Sequence, residues 1–427
     1  MTTVKHLVKN AVYPVADYSR FESADILLEE SDGRFTILKI ARKQKDPEAD
    51  VVYASGALFM PGFIDLWARV GEPGRLSRED YISGSNAAVY GGYGHVLLEP
   101  FGDQICDDVR VLQKRLSDSQ KSTKCKYHFT AALTKGCKGK ELCDYSELSE
   151  CGAVAFTDGK FDAMDDAILY KAMNAVRDTG RSIIVMPRHE PCYHNAVATS
   201  GRIADLLKYP GIPSSVEAAS ISRYLIFALD TGCRIHVVGV STKHSVELIA
   251  EAKSRGANVT ASAFPIHFSM NENDLPFYGS LAKVWPPLRA KEDVDSLISG
   301  IKDGTVDCIV SDHTPLLQDE KSYDFISSES GTIGLQTAFS AACSYLLYPG
   351  HIDYIRLAKL FICSPAEILG IDIPRVAEGE SGDFSVISIN DDFIVTENYL
   401  KSKAHNSVYN GLSLCGLQKK AYFSDKR

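Results

Sequence analysis

The chain has 427 residues, 45% hydrophobic and 24% charged, a composition that is ordinary for a globular protein with a large core. Its formal net charge of -9 argues against a nucleic-acid-binding surface. The first residues lack the apolar stretch of a signal peptide, and no apolar run approaches the roughly 20 residues of a membrane helix. The eleven cysteines form no Cys-x-x-Cys pair. We therefore expect free thiols, a cytoplasmic location and no membrane association.

The chain begins with β signals and then changes pattern. Strand-like runs at 24–28 and 35–40 flank a polar turn, and 51–56 leads into the next region. From about 57 to 376, short apolar strands alternate with amphipathic helical stretches such as 245–254 and 357–362. The predicted strands are 63–70, 94–99, 127–132, 153–156, 182–186, 234–240, 258–263 and 308–311. Eight strands in β/α alternation favour an α/β fold of the (β/α)8 TIM-type barrel.

The end of the chain returns to β signals at 384–389 and 393–395. We expect the two chain ends to form one small β-sandwich domain beside the barrel. The expected boundaries are 1–56 and 377–427 for this composite domain and 57–376 for the barrel.

The predicted opening barrel strand, 63–70, carries an unusual set of polar residues. Because successive side chains of a strand point to opposite faces, Asp65, Trp67 and Arg69 are expected to share one face. An acid, a large aromatic and a cation are an odd set for a buried surface. This face is therefore the first candidate for a functional site.

Further motifs follow the predicted strands in order. They are 61–65 (PGFID), 78–85 and 87–93, 152–159, 211–223, 240–248, 285–289 (WPPLR), 311–315 (SDHTP), 334–338, 364–370 and 406–411, the last expected to be strand-like. Together they resemble the dihydroorotases of the amidohydrolase superfamily over nearly the whole chain. The resemblance implies a metallo-dependent-hydrolase-like barrel whose zinc centre opens a cyclic amide in pyrimidine biosynthesis.

The sequence departs from this family at its metal-binding positions. The family's first barrel strand ends in two ligand histidines, which match Trp67 and Arg69 here. Two later ligand histidines match Arg188 and Gly239. An arginine that holds the substrate carboxylate in the family matches Gly71.

Other family positions are preserved in part. The metal-binding aspartate matches Asp312, and Asp158 is the nearest match to the bridging carboxylate. A substrate-binding asparagine falls at Phe101. His189 and His236 lie near the lost ligand positions, but the strand alternation places both on the opposite face.

These changes predict the absence of zinc, although zinc is expected for the family. A guanidinium stays protonated and has no lone pair for a metal, and two fixed cations would repel one. We expect Arg69 or Arg188 to pair with Asp312 as counter-ion in place of the metal. Trp67 is expected to fill the vacated barrel mouth, with a stacking platform for a ligand as the alternative.

The remaining pocket residues also have structural and functional interpretations. His313 and His267 are expected to be remnants of the surroundings of a metal site, with catalysis as the alternative. Arg289 is expected to contact a carbonyl or a carboxylate, with anion binding as the alternative. For Arg69 and Arg188 the two interpretations are likewise a structural contact, which we expect, and anion binding.

Three functions follow from these observations. The first is a non-catalytic dihydroorotase homologue, since the family includes inactive members that assemble with aspartate carbamoyltransferase and support its activity. The second is an active cyclic-amide hydrolase with an altered site built from Asp312, His313, His189 and His267. The third is a small-anion-binding protein that uses Arg69, Arg188 and Trp67. The family resemblance also implies a homo-oligomer.

Overall fold

The computed structural model describes residues 3–121, 123–159, 164–188, 196–322, 324–372 and 375–424. Its strands, in chain order, are β1 (Val4–Pro14), β2 (Phe21–Ser31), β3 (Arg34–Ala41), β4 (Asp50–Tyr53), β5 (Leu58–Pro61), β6 (Phe63–Ala68), β7 (Tyr93–Leu98), β8 (Lys126–Ala131), β9 (Ala155–Phe156), β10 (Ser182–Val185), β11 (Ala198–Thr199), β12 (Gly211–Ile212), β13 (Ile235–Val237), β14 (Val259–Ala263), β15 (Cys308–Ile309), β16 (Ser381–Gly382), β17 (Phe384–Ile394) and β18 (Ser413–Tyr422).

The α-helices are α1 (Tyr81–Tyr90), α2 (Val109–Ser119), α3 (Tyr145–Cys151), α4 (Asp166–Asp178), α5 (Arg202–Leu207), α6 (Ser215–Thr231), α7 (Lys243–Ser254), α8 (Pro265–Ser269), α9 (Leu275–Tyr278), α10 (Lys291–Asp303), α11 (Gln318–Ser322), α12 (Ala338–Ala342), α13 (Tyr354–Ala358) and α14 (Ser364–Leu369). Short 3₁₀ turns occur at Lys135–Cys137, Glu272–Asp274 and Gly279–Ala282. Two π-helical turns, Cys343–Leu347 and Lys359–Cys363, follow α12 and α13. No helix in these ranges is long and apolar enough to cross a membrane.

The predicted barrel is confirmed. Eight strands lie side by side in chain order, β6-β7-β8-β9-β10-β13-β14-β15, and their pairings are parallel. Each corresponds to one of the eight predicted strands. The barrel closes where Ala68 pairs with His313 and the Arg69 backbone N–H donates to the His313 carbonyl over 2.8 Å. The carboxyl ends of all eight strands therefore meet at one mouth.

A buried carboxyl group joins the first barrel strand to the last. Asp65 accepts hydrogen bonds from the backbone N–H and from the hydroxyl of Ser311, each over 2.7 Å. Burial raises the pKa of Asp65 to about 7, although these hydrogen bonds act in the opposite direction. Asp65 is thus a closure residue of the barrel, and the odd polar face of β6 is partly explained by barrel architecture.

The pairing of β6 with β7 is irregular near its end. The register between the two strands shifts between Asp65 and Ala68. Trp67 packs in the same core cluster as Ile64 and Leu66. The expected common face of Asp65, Trp67 and Arg69 stays a prediction.

The two chain ends form a second sheet, as predicted. Its strand order is β16-β3-β2-β1-β5-β17-β18, with β4 beside β1. The runs predicted at 384–389 and 393–395 form a single strand, β17, whereas the tail at 406–411 is a turn before β18. Strands β1 and β18 were not predicted as such. The sheet also takes β5, and the exact domain boundaries stay a prediction.

The closure contact predicts a loss of stability on removal of its hydroxyl. We expect Ser311→Ala to lower the free energy of unfolding by about 1–3 kcal/mol, because it leaves one oxygen of the buried Asp65 carboxyl without its donor. Urea denaturation followed by circular dichroism measures this change. Ser327→Ala, at an exposed serine, is the matched control. Equal midpoints for the two variants would contradict the closure role.

Candidate functional site at the barrel mouth

The predicted pocket residues come from the carboxyl ends of the barrel strands. Trp67 and Arg69 end the first strand and its extension, and Glu99 directly follows β7. Arg188 follows β10, and Asp312 follows β15. In this fold the carboxyl ends of the strands are where binding and catalytic groups lie. The candidate site is therefore the barrel mouth.

Arg69 forms a two-bond ion pair with Glu99. Its Nε lies 2.6 Å from Glu99 Oε2, and its Nη2 lies 2.9 Å from Glu99 Oε1. The Glu99 side chain is 2% exposed, whereas that of Arg69 is 29% exposed. Burial opposes the charge of the guanidinium, but the Glu99 carboxylate outweighs this effect and raises the pKa of Arg69. Sequence reasoning missed Glu99, although an acid directly after a barrel strand was a visible signal.

A second arginine fixes the loop that carries Glu99. Arg115, on α2, is buried and its Nη2 donates to the carbonyl oxygens of Pro100, Phe101 and Gln104 over 3.0, 3.0 and 2.7 Å. These bonds satisfy the carbonyl groups of a sharply turning loop. Glu99 is therefore held from both sides, by Arg69 at its carboxylate and by Arg115 through the backbone.

The expected pair between an arginine and Asp312 is not formed among the described residues. Arg69 pairs with Glu99 instead, and the guanidinium carbon of Arg188 lies 4.7 Å from the centre of the Trp285 ring. Burial raises the pKa of Asp312 well above its usual range, and Arg69 opposes this only at longer distance. The pair was expected because a buried carboxylate needs a charged partner, but Glu99 offers Arg69 a doubly bonded one.

Trp67 fills the mouth from within. Its side chain is 1% exposed and packs in the core cluster with Leu97, Met186 and Phe264. Its indole Nε1 is buried and has no hydrogen-bond partner in the described part of the chain. The structure therefore agrees with Trp67 as a packing residue and leaves little of its ring face for stacking.

His313 has both ring nitrogens engaged. Its Nε2 lies 2.6 Å from Glu79 Oε2, and its Nδ1 accepts from the backbone N–H of Gly334 over 3.3 Å. Glu79 also accepts from the Ser402 hydroxyl and the Lys403 backbone N–H, each over 3.0 Å. His313 thus connects the end of the barrel to the C-terminal segment through Glu79. Neither of its ring nitrogens is free for catalysis.

His267 is a buried, neutral side chain. Its Nε2 donates to the Pro286 carbonyl over 2.8 Å. Burial lowers the pKa of His267 to about 4, so the ring is uncharged at neutral pH. Its role in the structure is to hold the Trp285–Pro286 turn.

Arg289 forms a buried ion pair, in agreement with the expected structural contact. Its Nη2 lies 3.1 Å from Glu217 Oε2, and its other nitrogens donate to the hydroxyl groups of Ser241 and Thr199 over 2.9 and 3.0 Å. The side chains of Arg289 and Glu217 are 2% and 0% exposed. Although burial acts in the opposite direction, Arg289 holds the pKa of Glu217 below its usual range.

Asp158 and His236 are also committed to internal contacts. Asp158 accepts from the backbone N–H groups of Leu133 and Thr134 over 2.8 and 2.9 Å and therefore fixes a turn. The two ring nitrogens of His236 lie 2.9 and 3.0 Å from the hydroxyl groups of Thr260 and Ser262. Both residues therefore have internal hydrogen-bond partners.

Two positions matched to the family leave little room for a side chain. Gly239 has a φ of 75°, and a Cβ built there would lie 2.6 Å from a ring carbon of Phe264. A Cβ at Gly71 would lie 1.9 Å from the carbonyl oxygen of Arg75. A histidine at 239 or an arginine at 71 would therefore require the surrounding chain to move.

The described part of the mouth contains no ready-made metal cluster. The described ranges contain no group of three or more His, Cys, Asp or Glu residues arranged to hold a metal ion. The resemblance matches Arg69 and Arg188 to ligand positions of the family, and a guanidinium has no lone pair to donate. The absence of zinc stays a prediction. His189, considered for an altered site, lies outside the described residues.

The fold is a TIM-type barrel with a β-sandwich domain, the architecture of the solved hydantoinases. The L-hydantoinase (dihydropyrimidinase) of Arthrobacter aurescens superposes with a TM-score of 0.84 at 22% identity, covering 98% of this chain and 94% of that one. The D-hydantoinase of a Thermus species gives 0.81 at 20% identity over 99% and 96%. At this level of identity the likeness establishes the fold alone.

The sequence comparisons identify the family. A family model described as "Dihydro-orotase-like" matches residues 56–245. A protein of Acetivibrio thermocellus named dihydroorotase is 33% identical over 392 residues, which is 92% of this chain and 91% of that protein. Another dihydroorotase, from Caldanaerobacter subterraneus, is 32% identical over 96% and 94%. The chain belongs to the dihydroorotase-like family.

The buried Arg289–Glu217 pair predicts a strong effect of a single substitution. We expect Arg289→Met to lower the free energy of unfolding by about 3–5 kcal/mol, because it leaves Glu217 charged and unpaired in the core. The double variant R289M/E217Q should lose less, since no charge stays buried. Arg20→Met removes an exposed ion pair and should change stability by about 0.5 kcal/mol or less. A double variant less stable than R289M would contradict the pairing.

Proposed function

We propose that this chain is a non-catalytic member of the dihydroorotase-like family, with a structural or regulatory role in pyrimidine biosynthesis. The observation that carries the proposal is the Arg69–Glu99 ion pair, which occupies the end of the first barrel strand where the family binds its metal. A hydrolytic metal centre needs about three or four protein ligands in fixed geometry. An ion-paired guanidinium supplies none.

The surroundings of the mouth support this proposal. Phe264 lies against Gly239, so the fourth ligand position is filled by an aromatic ring. In both His313 and His267, the Nε2 atom forms an internal hydrogen bond. These contacts give both rings a structural role, which supports a mouth without hydrolytic chemistry.

The partner that we propose is aspartate carbamoyltransferase. Inactive members of the family assemble with that enzyme, and a scaffold role needs a folded barrel and a binding surface rather than a metal. Self-association into a homo-oligomer is part of the same proposal. Both ideas rest on family resemblance.

A second candidate function is an active cyclic-amide hydrolase with an altered site. The names of the relatives favour it, because proteins 31–33% identical to this chain are named dihydroorotase. This function would require metal ligands other than those at the matched positions. Metal content therefore separates the two candidates.

The first prediction concerns metal and activity. We expect the purified protein to contain no stoichiometric zinc and to show no ring opening of dihydroorotate. Elemental analysis and a dihydroorotase assay measure both results, with an active dihydroorotase treated in parallel. One or two zinc ions per chain with turnover would establish the second candidate.

The second prediction concerns the partner. We expect the chain to co-elute with the aspartate carbamoyltransferase of the same organism in size-exclusion chromatography and to raise its activity. The R69M/E99Q variant, altered only inside the mouth, should associate equally well. Separate elution of the two proteins at micromolar concentration would reject this partner, while leaving the metal result unaffected.

A further inference from the structure

One edge of the Arg69 guanidinium has no partner in the described part of the chain. Nε and Nη2 bond to Glu99, whereas Nη1 forms no hydrogen bond there. The side chain is 29% exposed, although its partner Glu99 is 2% exposed. A purely structural ion pair would not need to leave one side of the guanidinium open to solvent. Arg69 therefore presents two parallel N–H directions at the barrel mouth, from Nη1 and the second hydrogen of Nη2.

This edge is held in a fixed orientation. Glu99 fixes the opposite edge with two bonds, and Arg115 fixes the loop of Glu99 through three carbonyl groups. A guanidinium whose rotamer is already set loses little conformational freedom when it binds a ligand. The arrangement is that of a preorganised anion-binding group.

A buried donor lies two residues away on the same strand. The Nε1–H of Trp67 is buried without an acceptor in the described residues. An unpaired buried N–H is unfavourable, and an oxygen atom entering the mouth would be a suitable acceptor. This observation is independent of the Arg69 geometry.

The chain supplies its own competing carboxylate. Glu329 is exposed, and its charge acts on Arg69. Its segment is anchored by Lys283, whose Nζ donates to the carbonyl groups of Ile326 and Ser328 over 2.8 and 2.6 Å. Lys321 donates to the carbonyl of Glu329 itself over 2.9 Å. The backbone around Glu329 is thus anchored, and its carboxylate acts on Arg69 without a hydrogen bond to it in the described part of the chain.

We propose that the open edge of Arg69 binds a small planar oxyanion, a carboxylate or bicarbonate, at the barrel mouth, in competition with Glu329. Two parallel N–H groups match the two oxygens of a trigonal anion. The acids around Arg69, namely Glu99, Asp312 and Glu329, disfavour a doubly charged tetrahedral anion. The family's carboxylate-binding arginine matches Gly71, so this site uses a different residue. It does not depend on the proposed loss of catalysis.

Thermal-shift and calorimetric titrations with acetate, bicarbonate and phosphate at constant pH and ionic strength test the proposal. We expect acetate and bicarbonate to bind the parent protein more tightly than phosphate. R69M/E99Q, which removes both charges of the pair, should weaken acetate binding by at least about tenfold. Glu329→Gln should strengthen it by about twofold to fivefold, because the competing charge is lost.

Two further variants keep the test decisive. Arg69→Lys retains the charge without the planar edge, so it should bind weakly and lose the preference for acetate over phosphate. Arg110→Met removes a guanidinium that is 91% exposed and should change nothing. Equal acetate affinity of the parent and R69M/E99Q would overturn the proposal. So would tighter phosphate than acetate binding, or weaker acetate binding in Glu329→Gln.

Discussion

The mouth of this barrel is organised around the ion pair of Arg69 and Glu99. Two short hydrogen bonds join a partly exposed cation to a buried anion. Arg69 satisfies the charge that Glu99 would otherwise bury unpaired, and Glu99 fixes the orientation of Arg69. Burial raises the pKa of the nearby Asp312. Arg69 acts against this rise, but it is bonded to Glu99 and its effect is the smaller one. The electrostatics of the site are therefore set by the pairing of the Arg69 guanidinium with Glu99 and not with Asp312.

Two positions at the mouth leave little room for a side chain. Phe264 occupies the space beside Gly239, and the backbone of Arg75 occupies the space beside Gly71. A larger residue at either position would have to displace its neighbour. Because protein interiors are close-packed, such a displacement is unfavourable. The mouth is therefore tightly packed at both positions.

The pattern of apolar residues along the chain predicted the architecture well, because apolar residues recur where side chains are buried. Eight apolar runs in β/α alternation gave all eight barrel strands, and β signals at both ends gave the composite sheet. Periodicity gives no information about the partners of charged side chains. The expected pairing of Asp312 with Arg69 or Arg188 was wrong for the described residues, because a single sequence does not reveal that Glu99 is the acid bonded to Arg69. The ion pairs of the site join residues 30 and 72 positions apart, and only the folded chain brings them together.

The sheet built from both chain ends has a consequence for synthesis on the ribosome. Strand β5 pairs with β17, so residues 58–61 lack this partner until residues 384–387 have been synthesised. At about 5–20 residues per second, this interval is roughly 15–65 s. During that time a sheet of β1 to β5 lacks partners at two edges, because β3 pairs with β16 and β5 pairs with β17. The nascent chain therefore exposes both pairing edges until translation is nearly complete, and exposed edges tend to pair with other chains.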